Sequence, residues 1–367
     1  MKITISRENL LGPLQVINNV VERRQTLPIL GNVLVVAEQG GSISLTATDM
    51  EVEIIVTLEA TTEQAGTITV PARKFLDITR ALPKEAKLTF AINEDKVKIQ
   101  SSRSRFLLAT LPAAEFPSIG TFTPLVEFDL PSSTLAGLVE GTQFAMAHQD
   151  VRYYLNGLLF ELSSELIRAV ATDGHRLALC DRPVDIDLAE ALQIIVPRKG
   201  VVEIMRLLGS TEDDVHIAIG GNHMTVTTTE QSLTTKLVDG RFPDYERVIP
   251  KAGEKRVTAD REILKAGLAR ASILSNEKFR GVRVVLDDNQ LTAIAHNPEQ
   301  EEAEEEIEVD YSGGELEIGF NVSYLLDVLT VLKSTTIHID FIDSNSSCLI
   351  HDPEDETARY VVMPMRL

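Results

Sequence analysis

The stretch ATDGHRLALC (171–180) places a carboxylate, an imidazole and a guanidinium around Gly174, on Asp173, His175 and Arg176. Acid–base or nucleophilic catalysis needs a partner for each group, such as the serine of G-x-S-x-G, and zinc needs a spacing such as H-E-x-x-H or C-x-x-C. Neither these patterns nor a G-x-x-x-x-G-K-[ST] phosphate loop occurs in the sequence. We therefore predict no catalytic site, cofactor or metal. Instead, Asp173 should bond to its own backbone and Gly174 should supply an unusual backbone angle.

The charge of the chain is large, negative and unevenly distributed. The 367 residues carry a net charge of −20, which argues against simple electrostatic adhesion to nucleic acid or anionic lipid. Residues 1–125 hold 13 basic and 13 acidic side chains, whereas residues 251–367 hold 12 basic and 23 acidic ones. A partner that binds head to tail would exploit this difference.

Composition predicts a cytoplasmic protein. No run of 18 apolar residues occurs and the N-terminal MKITISRENLL has no long apolar core, so neither a membrane span nor a signal peptide is expected. Cys180 and Cys348 lie in apolar, alternating contexts. We expect them to be buried free thiols in a reducing compartment.

Three sets of markers recur with one period. Asp49, Asp173 and Asn297 are each 124 residues apart, and the predicted helix caps Ser6, Ser132 and Asp260 are spaced by 126 and 128 residues. The third set comprises Pro71, Pro197 and Asn321. The sequence thus predicts three similar α+β domains, 1–125, 126–250 and 251–367, each built of two strand-helix-three-strand units. The first helix should cover about 7–22, with Pro13 disturbing its start.

Long motifs make a resemblance specific. TLPILGNVL, SRSRFLLATLPAAEFP, FAMAHQDVRYYLNG, KLVDGRFPDYERV, NPEQEEAEEE and YVVMPMRL stand in order from end to end of the chain. This sequence resembles the bacterial DNA polymerase III beta subunits, the beta sliding clamps. The resemblance implies the DNA clamp fold and a head-to-tail homodimer that closes as a six-domain ring around duplex DNA. Such a ring is a processivity factor and not an enzyme. The alternative is a peptide-binding adaptor without a DNA-encircling role.

The resemblance also implies partners and sites. Short linear motifs of the polymerase III catalytic subunit, the clamp loader, other polymerases and repair proteins would enter a hydrophobic cleft between the second and third domains. Its residues would be Arg152, Leu155, Thr172, Gly174, His175, Arg176, Leu177, Pro243, Arg247, Val248, Ser347, Val361, Met363, Pro364, Met365 and Arg366. Aliphatic and methionine walls suit a Leu or Phe anchor.

The resemblance implies two further surfaces. Basic residues recur on equivalent helices, where they would hold phosphates loosely and without sequence preference. The DNA-facing residues would be Arg24, Arg73, Arg80, His148, Gln149, Tyr153, Tyr154, Arg198 and Lys199. The dimer interface would comprise Lys74, Arg103, Arg105, Phe106, Leu108, Ile273, Leu274, Glu299, Glu301, Glu304 and Glu305. Its apolar centre should supply the affinity, and its charges mainly the orientation.

Overall fold

The strands and helices follow the order that the sequence predicts. The computed structural model describes residues 1–21, 27–93, 96–250 and 255–366. The first repeat contains, in chain order, β1 (Lys2–Ser6), α1 (Arg7–Val20), β2 (Asn32–Ala37), β3 (Ser42–Thr48), β4 (Val52–Glu59), β5 (Thr61–Gln64), β6 (Gly66–Pro71), α2 (Ala72–Ala81), β7 (Lys87–Asn93), β8 (Lys96–Ser101) and β9 (Ser104–Ala109).

The second and third repeats follow the same order. The second contains β10 (Val126–Pro131), α3 (Ser132–Glu140), β11 (Gly157–Leu162), β12 (Leu166–Thr172), β13 (Arg176–Pro183), β14 (Leu192–Pro197), α4 (Arg198–Leu208), β15 (Asp214–Ile219), β16 (His223–Thr227) and β17 (Gln231–Lys236). The third contains β18 (Lys255–Asp260), α5 (Arg261–Ala271), β19 (Gly281–Asp287), β20 (Gln290–His296), β21 (Glu302–Glu308), β22 (Leu316–Asn321), α6 (Val322–Val331), β23 (Thr336–Phe341), β24 (Cys348–His351) and β25 (Ala358–Val362). In the described chain no helix is long and apolar enough to cross a bilayer.

Helix α1 begins where predicted and runs through Pro13. The Ser6 hydroxyl accepts a hydrogen bond from the Asn9 amide at 3.2 Å, which confirms the cap. The expected disturbance at Pro13 is wrong, because the preceding Gly12 has no Cβ to clash with the ring and an apolar face of the helix is buried. The helix ends at Val20, two residues before the predicted end.

The other two predicted caps behave differently from each other. Asp260 accepts from the Ile263 amide at 3.0 Å and caps α5, as expected. The prediction for Ser132 is wrong, because this residue is already the first residue of α3. Its hydroxyl instead donates to the Thr211 carbonyl oxygen at 3.3 Å.

Two of the four sheets combine strands from neighbouring repeats. One eight-stranded sheet has the order β10-β15-β16-β17-β4-β3-β2-β6, and the other has the order β14-β11-β12-β13-β25-β24-β23-β18. The antiparallel pairs β17–β4 and β13–β25 join the repeats, with Leu233 opposite Ile54 and Leu177 opposite Val361. The sequence pattern did not predict this sharing.

The other two sheets each belong to a single repeat. The first repeat forms a five-stranded sheet of order β5-β1-β7-β8-β9, and the third forms a four-stranded sheet of order β21-β20-β19-β22. Strand β5 is an addition to the predicted pattern. Its sequence TTEQ has no apolar alternation to signal a strand.

The chain forms two compact units that do not follow the repeat boundaries. One consists of Met1–Ser133 with Lys199–Leu237, and the other of Thr134–Arg198 with Val238–Leu367. The first core includes Ile3, Leu45 and Leu233, which are at most 2% exposed. The second includes Leu159, Leu179 and Val361, which are at most 1% exposed. Both native cysteines are buried free thiols, as expected. Burial raises the pKa of the Cys348 thiol to about 12.

Candidate functional site

The Asp173 turn is held by its own side chains. Asp173 Oδ1 accepts hydrogen bonds from the amides of His175 and Arg176 at 2.9 and 3.0 Å. The Thr172 hydroxyl donates to the Arg176 carbonyl oxygen at 2.6 Å and accepts from the Gly174 amide at 3.1 Å. Gly174 has a φ of +88°, which confirms both predictions for this turn. Within the described ranges, no cluster of three or more His, Cys, Asp or Glu residues could hold a metal ion.

The same turn recurs in the first repeat, which identifies it as scaffold. Thr48 and Asp49 make the same hydrogen bonds to the carbonyl and amides that follow them. Met50 occupies the position of Gly174, with a φ of +75°. In the third repeat Asn297 accepts from the amide four residues later, so that loop is wider.

Arg152 lies over the turn of the second repeat. A Cβ on Gly174 would stand 3.2 Å from Nη2 of Arg152, and this nitrogen donates to the Asp173 carbonyl oxygen at 3.4 Å. The guanidinium also binds both carboxylate oxygens of Asp150, at 3.0 and 2.9 Å. These hydrogen bonds lower the pKa of Asp150 to about 2. The exposed Arg152 is therefore oriented across the turn by a second acidic residue.

Arg176 connects the turn to α6. Its Nε donates to Asp173 Oδ2 at 3.1 Å, its Nη1 donates to Asp327, and its Nη2 donates to the Phe144 carbonyl oxygen at 2.6 Å. The guanidinium also stacks 4.5 Å from the centroid of the Tyr324 ring. Only 11% of this side chain is exposed, so Arg176 primarily holds the walls of the site together.

Several predicted groove residues meet in one apolar cluster. Leu155, Leu177 and Val361 are at most 3% exposed and pack in this cluster. Its other members are Ala147, Leu159, Val170, Leu179, Ile195, Phe242, Tyr245 and Leu349, with Tyr154, Val238 and Ile249 packed against them. The cluster forms a floor on which more exposed side chains can make a groove.

The remaining predicted groove residues differ in exposure, and one of them is tied to the Asp173 turn through its backbone. The Met363 amide donates to the His175 carbonyl oxygen at 2.9 Å, which aligns the C-terminal segment with the turn. His175 is exposed, whereas Met363 is half-buried. Pro243, Arg247, Val248 and Arg366 are exposed, while Thr172 is buried and Ser347, Pro364 and Met365 are half-buried.

Sequence reasoning named three of the eleven floor residues and missed the other eight, among them Phe242, Tyr245 and Leu349. Two of them lie in the motif FPDY, whose counterpart in the first repeat is FPSI. This recurrence around Pro243 could have signalled a buried anchor on each side of the proline.

The predicted DNA-facing residues that the structure describes lie on α2, at the start of α4 and in the loop before β11. Arg73 and Arg80 are exposed on α2, and Arg198 and Lys199 begin α4. Lys199 forms an ion pair with Asp49, so its charge is already compensated within the first compact unit. Arg24 lies outside the described residues.

The other predicted DNA contacts belong to the loop before β11. His148 and Gln149 are exposed, and Gln149 has a φ of +56°. Tyr153 is exposed, while Tyr154 packs against the groove floor. The two tyrosine rings make an edge contact at 5.9 Å between centroids.

Five of the residues predicted for the dimer interface lie on two edge strands, and the other six lie on α2, in turns and just after α5. Arg105, Phe106 and Leu108 belong to β9, and Glu304 and Glu305 belong to β21. In the described chain no strand pairs with the outer edge of either. Arg103, Lys74, Glu299 and Glu301 are exposed, Leu274 is half-buried and Ile273 is 75% exposed.

One of these residues already has a partner within the chain. Both carboxylate oxygens of Glu305 accept hydrogen bonds from Arg270 on α5, at 2.9 and 2.7 Å. These bonds lower the pKa of Glu305. Glu302, Glu304 and Glu306 on the other face of β21 are exposed.

Three tandem α+β domains of like construction define a clamp-type protein. Family models of the DNA polymerase III beta subunit match in order: the N-terminal domain over 1–120, the central domain over 129–244 and the C-terminal domain over 246–366. The chain belongs to the DNA polymerase III beta subunit family, which confirms the resemblance.

Sequence relatives and solved structures match this chain over its full length. The beta sliding clamps of Pseudomonas putida KT2440 and Escherichia coli K12 are 53% and 51% identical, with all of each chain covered. The fold is similar to a crystal structure of a Pseudomonas aeruginosa sliding clamp bound to griselimycin. That match has a TM-score of 0.96 and 50% identity, and it covers 100% of both chains.

Proposed function

We propose that two copies of this chain close head to tail around duplex DNA and tether polymerases to it, without catalysing a reaction. The observation that carries this proposal is the pair of open sheet edges, one at β9 in the first repeat and one at β21 in the third. The family match over the whole chain supports it. Domains of 1–125, 126–250 and 251–367 and a cytoplasmic location belong to the same proposal.

The two edges are complementary in chemistry. Strand β9 carries Arg105 beside Phe106, Leu107 and Leu108, of which Leu107 is 44% exposed. Strand β21 reads EAEEEIE. Pairing β9 of one copy with β21 of another would extend a sheet across the interface and satisfy the open backbone groups. Two such contacts, each joining β9 of one copy to β21 of the other, can close a ring.

DNA would be retained by enclosure. The net charge of −20 opposes adhesion to phosphates, so a few basic side chains such as Arg73 and Arg80 would hold the duplex only loosely. Loose, sequence-independent contact permits sliding. Residence on DNA would then depend on ring closure.

The groove above the apolar cluster would receive partners. Its floor and its half-buried methionines suit a short peptide with a Leu or Phe anchor, and His175 and Arg152 offer polar contacts. The polymerase III catalytic subunit, the clamp loader and other polymerases and repair proteins would compete for it. We further propose that griselimycin, bound by the Pseudomonas aeruginosa relative, also binds this chain.

The test compares closed and cut DNA. Protein loaded on a nicked circular plasmid should survive a 1 M salt wash, and it should be lost after the circle is linearised by a restriction enzyme. A second plasmid without the cleavage site, treated with the same enzyme, is the control. Equal loss from both plasmids would contradict enclosure and favour the peptide-binding adaptor.

A further inference from the structure

The segment 238–250 supplies three predicted groove residues whose side chains lie largely in solvent. Pro243, Arg247 and Val248 are exposed, and the ion pair that Arg247 forms with Asp244 at 2.6 Å leaves 84% of the Arg247 side chain in solvent. Exposed pairs of this kind contribute little to order. Something else must hold this wall of the groove in place.

Two buried rings anchor the segment. Phe242 and Tyr245 are 7% and 6% exposed, and their rings make an edge contact at 6.4 Å between centroids. The Val238 amide donates to the Ile195 carbonyl oxygen at 2.9 Å, which fixes the beginning of the segment. Of these two rings, that of Tyr245 carries a hydroxyl, which contacts side chains of strands β11 and β12.

That polar atom meets a row of charged side chains across adjacent strands. Glu161 on β11, Arg168 on β12, Asp181 on β13 and Arg359 on β25 alternate in sign. Arg168 binds Asp181 through two hydrogen bonds of 2.7 and 2.9 Å, and Arg359 reaches Asp181 at 3.4 Å. We call these four residues the charge ladder.

Tyr245 is bound at one end of the charge ladder. Its hydroxyl donates to Glu161 and accepts from Arg168 Nη1 at 3.3 Å. Arg168 Nη1 also lies 3.5 Å from Glu246, the residue after Tyr245. Burial and the bond to Glu161 raise the pKa of Tyr245, and the bonds to Asp181 raise the pKa of Arg168. The hydroxyl and the guanidinium therefore keep their protons at neutral pH.

We propose that Tyr245, Glu161 and Arg168 are positioning residues for partner binding, because they hold segment 238–250 in the shape that the groove requires. This inference rests on the proposed function of the groove. Without the anchor, the segment would be mobile in the free protein and would become ordered only when a ligand binds. The conformational entropy lost in that ordering would weaken the affinity for the ligand. A substitution in the anchor would leave the identity of every predicted groove residue unchanged.

The first test is a pair of matched substitutions. Tyr245→Phe removes one hydroxyl from the anchor, and Tyr311→Phe removes the hydroxyl of another buried tyrosine, which donates to the Gly314 carbonyl oxygen at 2.6 Å. We expect Tyr245→Phe to weaken griselimycin binding about three- to tenfold in calorimetry, as the loss of one hydrogen bond would. Tyr311→Phe should bind as the unaltered chain does. Equal affinities of all three proteins would overturn the inference.

The second test needs no ligand, so it separates this inference from the proposed function. A nitroxide attached through Val248→Cys reports the mobility of the segment, and the native Cys180 and Cys348 are buried and should stay unlabelled. The label should give a broad, immobilised spectrum in the parent and in Tyr311→Phe, and a narrower one in Tyr245→Phe. An unchanged spectrum in Tyr245→Phe would reject the anchor. Failure of the unaltered chain to bind griselimycin would instead reject the proposed ligand.

Discussion

At the residue scale, two turns with the same hydrogen bonds differ in one decisive position. Met50 in the first repeat and Gly174 in the second both have positive φ. At the second turn the guanidinium of Arg152 lies 3.2 Å from the place where a Cβ on Gly174 would stand. The missing side chain at Gly174 therefore makes room for Arg152 as well as easing the backbone.

This reasoning gives a prediction for Gly174→Ala. The positive φ should cost about 1 kcal/mol of the free energy of unfolding, and the new methyl group should displace Arg152. Urea unfolding measures the first effect, and the return of the pKa of Asp150 from about 2 toward 3.8, measured by NMR, reports the second. Gly221→Ala is the control, because its Cβ would meet nothing within 4 Å. Similar losses in both variants would contradict this account.

At the element scale, the basic residues predicted to face DNA differ in whether their charge is available to bind a phosphate. Arg73 and Arg80 on α2 are exposed, whereas Lys199 on α4 is paired with Asp49. Releasing Lys199 to a phosphate would break this ion pair. Its contribution to DNA binding should therefore be smaller than that of either arginine.

Changing Arg73 and Arg80 together to Gln tests the role of α2. Each lost phosphate contact makes the negative slope of log affinity against log salt shallower by about 0.9, so the slope should move toward zero by up to about 2. Fluorescence anisotropy with a short duplex over a range of salt concentrations measures it. Lys87→Gln with Lys96→Gln changes the same charge on exposed strand positions and should leave the slope nearly constant. Equal slopes for the two double variants would show that α2 does not contact DNA.

Sequence reasoning predicted the starts of elements better than their pairing. Helix starts were accessible because periodicity and caps such as Ser6 and Asp260 act within a few residues. Sharing of sheets between repeats was not, because β4 and β17 are far apart in the chain. The groove residues came from resemblance. Tyr245 was missed because its partners Glu161 and Arg168 lie 84 and 77 residues away.

At the scale of the whole molecule, assembly should depend on a small apolar contact beside the charged edges. Ile273 is 75% exposed, so a partner that covers it would remove apolar surface from water and gain free energy of association. The acidic edge strand β21 opposes pairing with a second copy of itself. The proposed contact therefore selects the unlike edge.

Ile273→Asp should open the ring. A charge in the apolar centre of the contact would be buried without a partner, so the mass measured by light scattering should fall to that of one chain, 40.4 kDa. Ile263→Asp, at a position 59% exposed on α5, is the control and should leave the dimer intact. Retention of the dimer by Ile273→Asp would remove this residue from the interface.

The division of the second repeat between two compact units bears on biosynthesis. The unit that begins at Met1 also includes Lys199–Leu237, so it cannot be complete before those residues are synthesised. Until then strand β4 lacks its neighbour β17. While the ribosome is still translating the middle of the message, the N-terminal third therefore presents a bare strand edge to the crowded cell. Nascent chains of this protein should need chaperone protection until roughly residue 237 has left the exit tunnel.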